Sequence, residues 1–179
     1  MSPKSAEKRM KKLSHYNASG NVKMVDVSAK ALTTRTAIAR GLVKMSPAVV
    51  RAVKRLRNPK GNPLEIARIA GIAAAKRTSE WIPLCHPLML TNIDVTASLC
   101  QNGVELQSTV TTTAQTGVEM EALVAVTAAA LTVYDMCKAL DKAIEITGIM
   151  LVEKTGGKSG HFRRPAVAPK PTRSKVRSR

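Results

Sequence analysis

Apolar residues in this chain recur in two rhythms. From Ile93 to Leu99 they alternate (Ile93, Val95, Ala97, Leu99), the spacing of a strand with one buried face. Asn102-Gly103 then signals a hairpin turn, and Val104, Leu106, Ser108 and Val110 continue as the returning strand. Ile144, Ile146, Ile149 and Leu151 predict a last strand, and residues 22–27 a short first one. Residues 33–44 are ambiguous. Thr33, Thr34, Thr36, Ile38, Leu42 and Val43 favour a strand, whereas Ala37, Ala39 and Arg40 permit a helix, and strand is preferred. Ser46-Pro47 is a helix start, with serine as N-cap and proline at the first helical position, for a helix reaching about Leu56. The breaker-rich segment 58–63 is a loop. A second helix runs from Pro63 to about Ser79, with small residues Ala67, Ala70, Gly71, Ala74 and Ala75 that admit close approach. Residues 117–140 predict a long helix too apolar all round to lie on a surface.

Without the short first strand the order is β-α-α-β-β-α-β. This is the α+β, ferredoxin-like order: an antiparallel sheet with helices packed on one face. One helix layer leaves the other sheet face and the alanine-rich helices needing cover, so oligomerisation is expected.

The length of 179 residues suits one domain. Only Trp81, Phe162, Tyr16 and Tyr134 are aromatic, so aliphatic residues and methionine must build the core. No uninterrupted apolar run reaches the ~18–20 residues of a membrane span, so no membrane association is expected. The formal charge of +17 is unevenly placed: +4 on residues 1–12, +7 on residues 163–179, and only +6 on residues 13–162. The expected organisation is therefore a basic flexible tail over 1–12, a folded domain over 13–162, and a basic, proline-containing disordered tail over 163–179. Cys85, Cys100 and Cys137 are odd in number and contain no CxxC pair, which suits a reducing compartment, and the cytoplasm is expected.

Several segments could carry chemistry. The run 154–160 (KTGGKSG) resembles a P-loop, but Val152 stands where the first glycine is required, so a nucleotide triphosphatase site is rejected. A glycine-rich segment with two lysines can still hold a phosphate, and it can equally be a solvated turn. In Leu84-Cys85-His86-Pro87, prolines restrict the loop around His86, which suits either a catalytic or a structural histidine. Adjacent Cys85 and His86 lack chelate spacing, so no metal is expected. Glu119 and Glu121 open the long helix, where acids favour the positive helix end. Asp135 and Lys138 share a helix face near its other end, as an ion pair or an acid–base pair. Lys60 precedes a helix, as an exposed loop lysine or an anion contact. Lys76-Arg77 suit the negative end of the second helix. Lysines, one loop histidine and scattered carboxylates favour a cofactor-free site that binds an anionic substrate and moves protons.

In order, these segments resemble the cyclic pyranopterin monophosphate synthase family (MoaC). The resemblance rests on Leu13-Ser14-His15, Met24-Val25-Asp26-Val27-Ser28-Ala29-Lys30, Ala67-Arg68-Ile69-Ala70-Gly71-Ile72, Ile82-Pro83-Leu84-Cys85-His86-Pro87-Leu88, Thr116-Gly117-Val118-Glu119-Met120-Glu121, Tyr134-Asp135-Met136-Cys137-Lys138, and the segment 154–160. It implies a ferredoxin-like fold and a homohexamer, a trimer of dimers with active sites at subunit interfaces. It implies a lyase of molybdenum cofactor biosynthesis that needs no metal or organic cofactor. The substrate would be 3′,8-cyclo-7,8-dihydro-GTP, made by a radical-SAM GTP cyclase. The products would be cyclic pyranopterin monophosphate and diphosphate. The resemblance assigns Asp135 as active-site acid, Lys138 and Lys60 as essential lysines, and Leu84, Cys85, His86, Met120 and Glu121 as substrate-binding. Glu119, Arg35, Lys76, Lys154 and Lys158 are further candidates for the guanine-derived ring or the triphosphate. The chain departs from the family at Ala114 and Gln115, where glycine and a basic residue are usual; this bears on a phosphate contact. Trp81 replaces a smaller aliphatic residue.

A competing class is nucleic-acid binding, suggested by pI ≈ 10.4. The scarcity of stacking aromatics and the concentration of charge in the tails weigh against it, although the tails could bind nucleic acid nonspecifically.

Overall fold

The structure is a computed structural model, and it describes residues 15–17, 19–55 and 61–165. The elements run β1 (Thr33–Lys44), α1 (Pro47–Lys54), α2 (Pro63–Ala75), α3 (Thr78–Trp81), β2 (Leu90–Cys100), β3 (Gly103–Ala114), α4 (Glu119–Cys137), β4 (Glu145–Thr155) and β5 (Phe162–Arg163). The five strands form one antiparallel sheet in the order β2-β3-β1-β4-β5. The four long strands thus have the ferredoxin-like arrangement expected from the element order.

Alternation explains the two faces. On β1, Ala37, Ala39 and Val43 are buried; on β3, Val104, Leu106 and Val110; on β2, Val95. These side chains meet α4, whose Ala122, Ala125, Val126, Ala129, Ala130 and Val133 are fully buried. The opposite face of the sheet is largely polar, with Ile38, Leu42 and Met150 set among the polar residues. Directly opposed residues pair across it: Thr34 with Thr113 at 3.3 Å, Thr36 with Thr111 at 3.1 Å, and Arg40 donating to Gln107 at 2.8 Å. The buried Ser108 hydroxyl, on the core face, donates to the Ala122 carbonyl at 2.7 Å, which satisfies it and ties β3 to α4.

Small residues bring the helices together as expected. A Cβ on Gly71 would lie 2.8 Å from the Ala125 carbonyl oxygen and 3.2 Å from a Val95 methyl. Glycine there allows α2, α4 and β2 to meet. By length and composition α4 could cross a membrane, but 61% of its apolar stretch is buried inside the protein, as in a core helix.

Some expectations are corrected. Residues 22–27 form no strand; they make one bridge, Tyr16 with Val22. Side chains compete with strand pairing here. Asn17 Oδ1 accepts from the N–H groups of Ser19 and Asn21, at 3.0 and 2.8 Å. Asp26 Oδ1 accepts from the Ser28 N–H and hydroxyl, at 2.9 and 2.7 Å. The second helix ends at Ala75 rather than about Ser79, because the Thr78 hydroxyl takes the Ala75 carbonyl at 3.0 Å and a separate turn, α3, begins. Ser46 occupies the N-cap of α1, but its side chain makes no capping bond; the Asn62 side chain caps α2, accepting from the Leu64 N–H. The long helix is shorter than expected at both ends. The β5 strand had no signal in the alternation; Arg163 pairs with Glu153 there, so chain assigned to the basic tail begins in the sheet.

Replacing Gly71 by valine should cost about 1–3 kcal/mol, the range for overpacking a close contact. Replacing the exposed Lys142 by alanine should change stability by less than about 0.5 kcal/mol. Denaturation midpoints at one protein concentration test both.

Candidate active site

A cavity of about 340 Å³ opens between the N-terminal hook, the loop before β2 and the start of α4. That volume suits a small-molecule ligand. The hook closes on itself: the Lys23 N–H donates to the His15 carbonyl at 2.9 Å, and the Asn17 turn lies between them. It places His15 and Val25 on one wall. The Cys85 N–H donates to the Ile82 carbonyl at 3.0 Å, making the turn that presents Leu84, Cys85 and His86. The chain leaving β3 turns at Thr116-Gly117 into α4, which adds Glu119, Met120 and Glu121.

Glu121 is the buried ionisable group of this cavity, with 4% of its surface exposed. Burial raises its carboxyl from 4.5 to about 7; its own backbone N–H opposes the shift and Glu119 adds to it. Near neutral pH it can therefore either give or accept a proton. Burial, then Glu121, also raises the Cys85 thiol, which keeps it protonated and a poor nucleophile. In the turn that follows Val25, the Ser28 hydroxyl and N–H, with smaller help from Lys23 and His86, lower the Asp26 carboxyl.

A second, open cavity of about 680 Å³ continues beyond Lys30, which lines both. Its charged residues are Lys30, Arg35 and Lys158, with no acid. Arg35, on β1, donates to the Ala114 and Gln115 carbonyls at 3.0 and 3.1 Å, which fixes its guanidinium under the end of β3. Gly156 and Gly157 have positive φ and fold over Arg35, and a Cβ on Gly157 would overlap the guanidinium. Between the two cavities Lys154 pairs with Glu119 at 2.9 Å and donates to the Ser159 hydroxyl at 2.8 Å. One end of the site thus carries titratable acid and imidazole groups, and the other carries fixed cations.

The expected site residues fall into three groups. Leu84, Cys85, His86, Glu119, Met120 and Glu121 share the first cavity. Arg35, Lys154 and Lys158 surround the cationic end. Lys76 lines an adjoining recess with His86 and Glu121. Asp135 and Lys138 stand apart, about 21 and 25 Å along the helix axis from Glu121 at ~1.5 Å per residue. They form an exposed ion pair of 2.6 Å, and Asp135 raises the Lys138 ammonium. Lys60 lies outside the described residues. His15 and Lys30 line the site without having been singled out from the sequence. Both lie in motif blocks, but their neighbours gave no chemical pattern to mark them. The His15 Nδ1 is buried and has no partner among the described residues.

A family model, MoaC family, matches residues 24–157 and so covers every described element except β5. The chain belongs to the MoaC family. A cyclic pyranopterin monophosphate synthase from Heliobacterium modesticaldum is 55% identical over 155 residues, covering 86% of this chain and 98% of the relative. The protein of the same name from Chloroflexus aggregans is 54% identical, over 85% and 93% of the two chains. Cyclic pyranopterin monophosphate synthase 1 from Mycobacterium tuberculosis is 54% identical, over 86% and 91%. The MoaC match spans both halves of the site, from the 24–30 turn to the glycines at 156 and 157.

The raised Glu121 carboxyl gives a signed pH prediction. Below 4.5 the group is protonated folded or unfolded and costs nothing. Between 4.5 and about 7 only the unfolded chain ionises it, so its contribution to stability falls by roughly 1.4 kcal/mol per pH unit, levelling near 3 kcal/mol. Glu121→Gln should therefore be more stable than the parent at pH 8, and the gap should close towards pH 4.5. Denaturant melts across that range measure it.

Proposed function

We infer that this chain is a cyclic pyranopterin monophosphate synthase, a lyase of molybdenum cofactor biosynthesis. Its reaction converts 3′,8-cyclo-7,8-dihydro-GTP to cyclic pyranopterin monophosphate and diphosphate. Family membership carries this reading. The paired cavities support it: the acid and imidazole end suits the guanine-derived ring, and the acid-free end with Lys30, Arg35 and Lys158 suits the triphosphate.

The chemistry divides along the same line. Opening the purine-derived ring and closing the pterin ring require proton transfers at positioned groups. Closing the cyclic phosphate requires a substrate hydroxyl oxygen to attack the α-phosphorus while the bond to diphosphate breaks. Charge builds on the leaving diphosphate, and fixed cations stabilise it; one well-placed group of this kind is worth about 2.7–4 kcal/mol.

Asp135, Lys138 and Lys60 are the proton-handling residues in this reading. The first two are too far along α4 to reach their own chain's cavity. Their place in the reaction therefore requires a neighbouring subunit, in a trimer of dimers whose boundaries complete each site. The three free thiols support a cytoplasmic location, where a radical-SAM GTP cyclase supplies the substrate. The basic tails offer nonspecific, salt-sensitive binding to nucleic acid.

Incubating the full chain with enzymatically made cyclo-dihydro-GTP should yield the pterin and diphosphate; no diphosphate release would overturn the reading. Asp135→Asn and Lys138→Ala should each lose roughly 10²–10⁴-fold in turnover, the range for acid–base groups, with the oligomer retained on size exclusion. Removing residues 166–179 should leave turnover intact, whereas loss of turnover would give the tail a part in the reaction.

A further inference from the structure

We propose that Gln115 is a positioning residue for the anionic substrate, holding through Ser28 the turn that carries Lys30 to the junction of the two cavities. The proposal rests on the reading of those cavities as one substrate site.

Gln115 is held on one side and holds on the other. Arg35 takes its main-chain carbonyl at 3.1 Å and that of Ala114 at 3.0 Å, so the peptide leaving β3 is fixed. Its side-chain amide then donates from Nε2 to the Ser28 carbonyl at 3.2 Å. The turn it grips is also tied by hydrogen bonds within itself. Asp26 accepts from the Ser28 N–H and hydroxyl, and the Lys30 N–H donates to the Val27 carbonyl at 2.9 Å. A hold on Ser28 therefore sets the position of Lys30 two residues later.

Lys30 matters because of where it stands. It lines both the first cavity, with His86 and Glu121, and the cationic one, with Arg35 and Lys158. A ligand spanning the two must pass it. Gln115 is uncharged and cannot attract an anion as a point charge. Its amide can act on the anion by fixing a cation, and its effect should then vanish when that cation is absent.

A mutant cycle tests this. Gln115→Met keeps the length and removes the donor; Lys30→Ala removes what is positioned. With the full-length protein, Gln115→Met should raise KM by about 3- to 10-fold, the worth of one hydrogen bond, while kcat moves by less than twofold. Its affinity for inorganic tripolyphosphate, measured by calorimetry, should fall by a similar factor. In the Lys30→Ala background the same substitution should change either quantity by less than twofold. Gln115→Lys, whose ammonium can still donate to Ser28, should leave KM at or below the parent value, and a rise matching that of Gln115→Met would overturn the proposal. Unchanged KM and affinity in Gln115→Met, or effects that multiply with those of Lys30→Ala, would overturn the proposal. Coupling in tripolyphosphate binding without turnover would remove the lyase reading and leave the clasp standing. Normal turnover without coupling would do the reverse, and absence of both turnover and tripolyphosphate binding would overturn both.

Discussion

The site depends on how closely α4 can lie against the sheet and α2. Alanines and valines on its inner face, with Gly41 and Gly71 opposite, leave no room for bulk; a Cβ on Gly41 would stand 2.7 Å from a Val126 methyl. The buried Ser108 bond to the Ala122 carbonyl fixes the first turn of the helix in register with β3. Glu119 and Glu121 belong to that turn. Core packing therefore decides which acids face the cavity and how dry Glu121 becomes, and its proton affinity follows from this.

The strands and the main helices were legible because each has one dominant burial pattern. Alternation in β2 and β3, the Asn102-Gly103 turn and the apolar circumference of α4 all state their own environment. Thr33–Lys44 is harder, since alanines at 37 and 39 permit a helix as well as a strand until the sheet places them under α4. The N-terminal hook was misread because Val22, Met24, Val25 and Val27 look like a strand edge, while Asn17 and Asp26 spend the backbone donors on turns. Element ends differed where a single hydroxyl, that of Thr78, took over a helical carbonyl.

Site residues were legible to different degrees for physical reasons. The Leu84–His86 loop and the acids of α4 sit beside prolines, glycines and a helix start, which are local marks. Lys30 and His15 reach the cavity only because a distant turn folds back, and no local pattern records that. Asp135 and Lys138 look local to one another, and within one chain they are. Their distance from Glu121 is a property of helix length, plain only once α4 is seen to run unbroken through the core.

Among the described residues of the single chain, the sheet stops at β2 on one side, and no further strand pairs with the outer backbone groups of that strand. Register shifts between Leu90 and Asn92, and Asp94, Thr96 and Ser98 point outward along the rest of it. A border interrupted by an irregular step and a carboxylate is a poor template for further strands. The chain can thus keep an open margin without inviting fibril growth, and it does so with one irregular step and polar side chains, leaving its few aromatics for other duties.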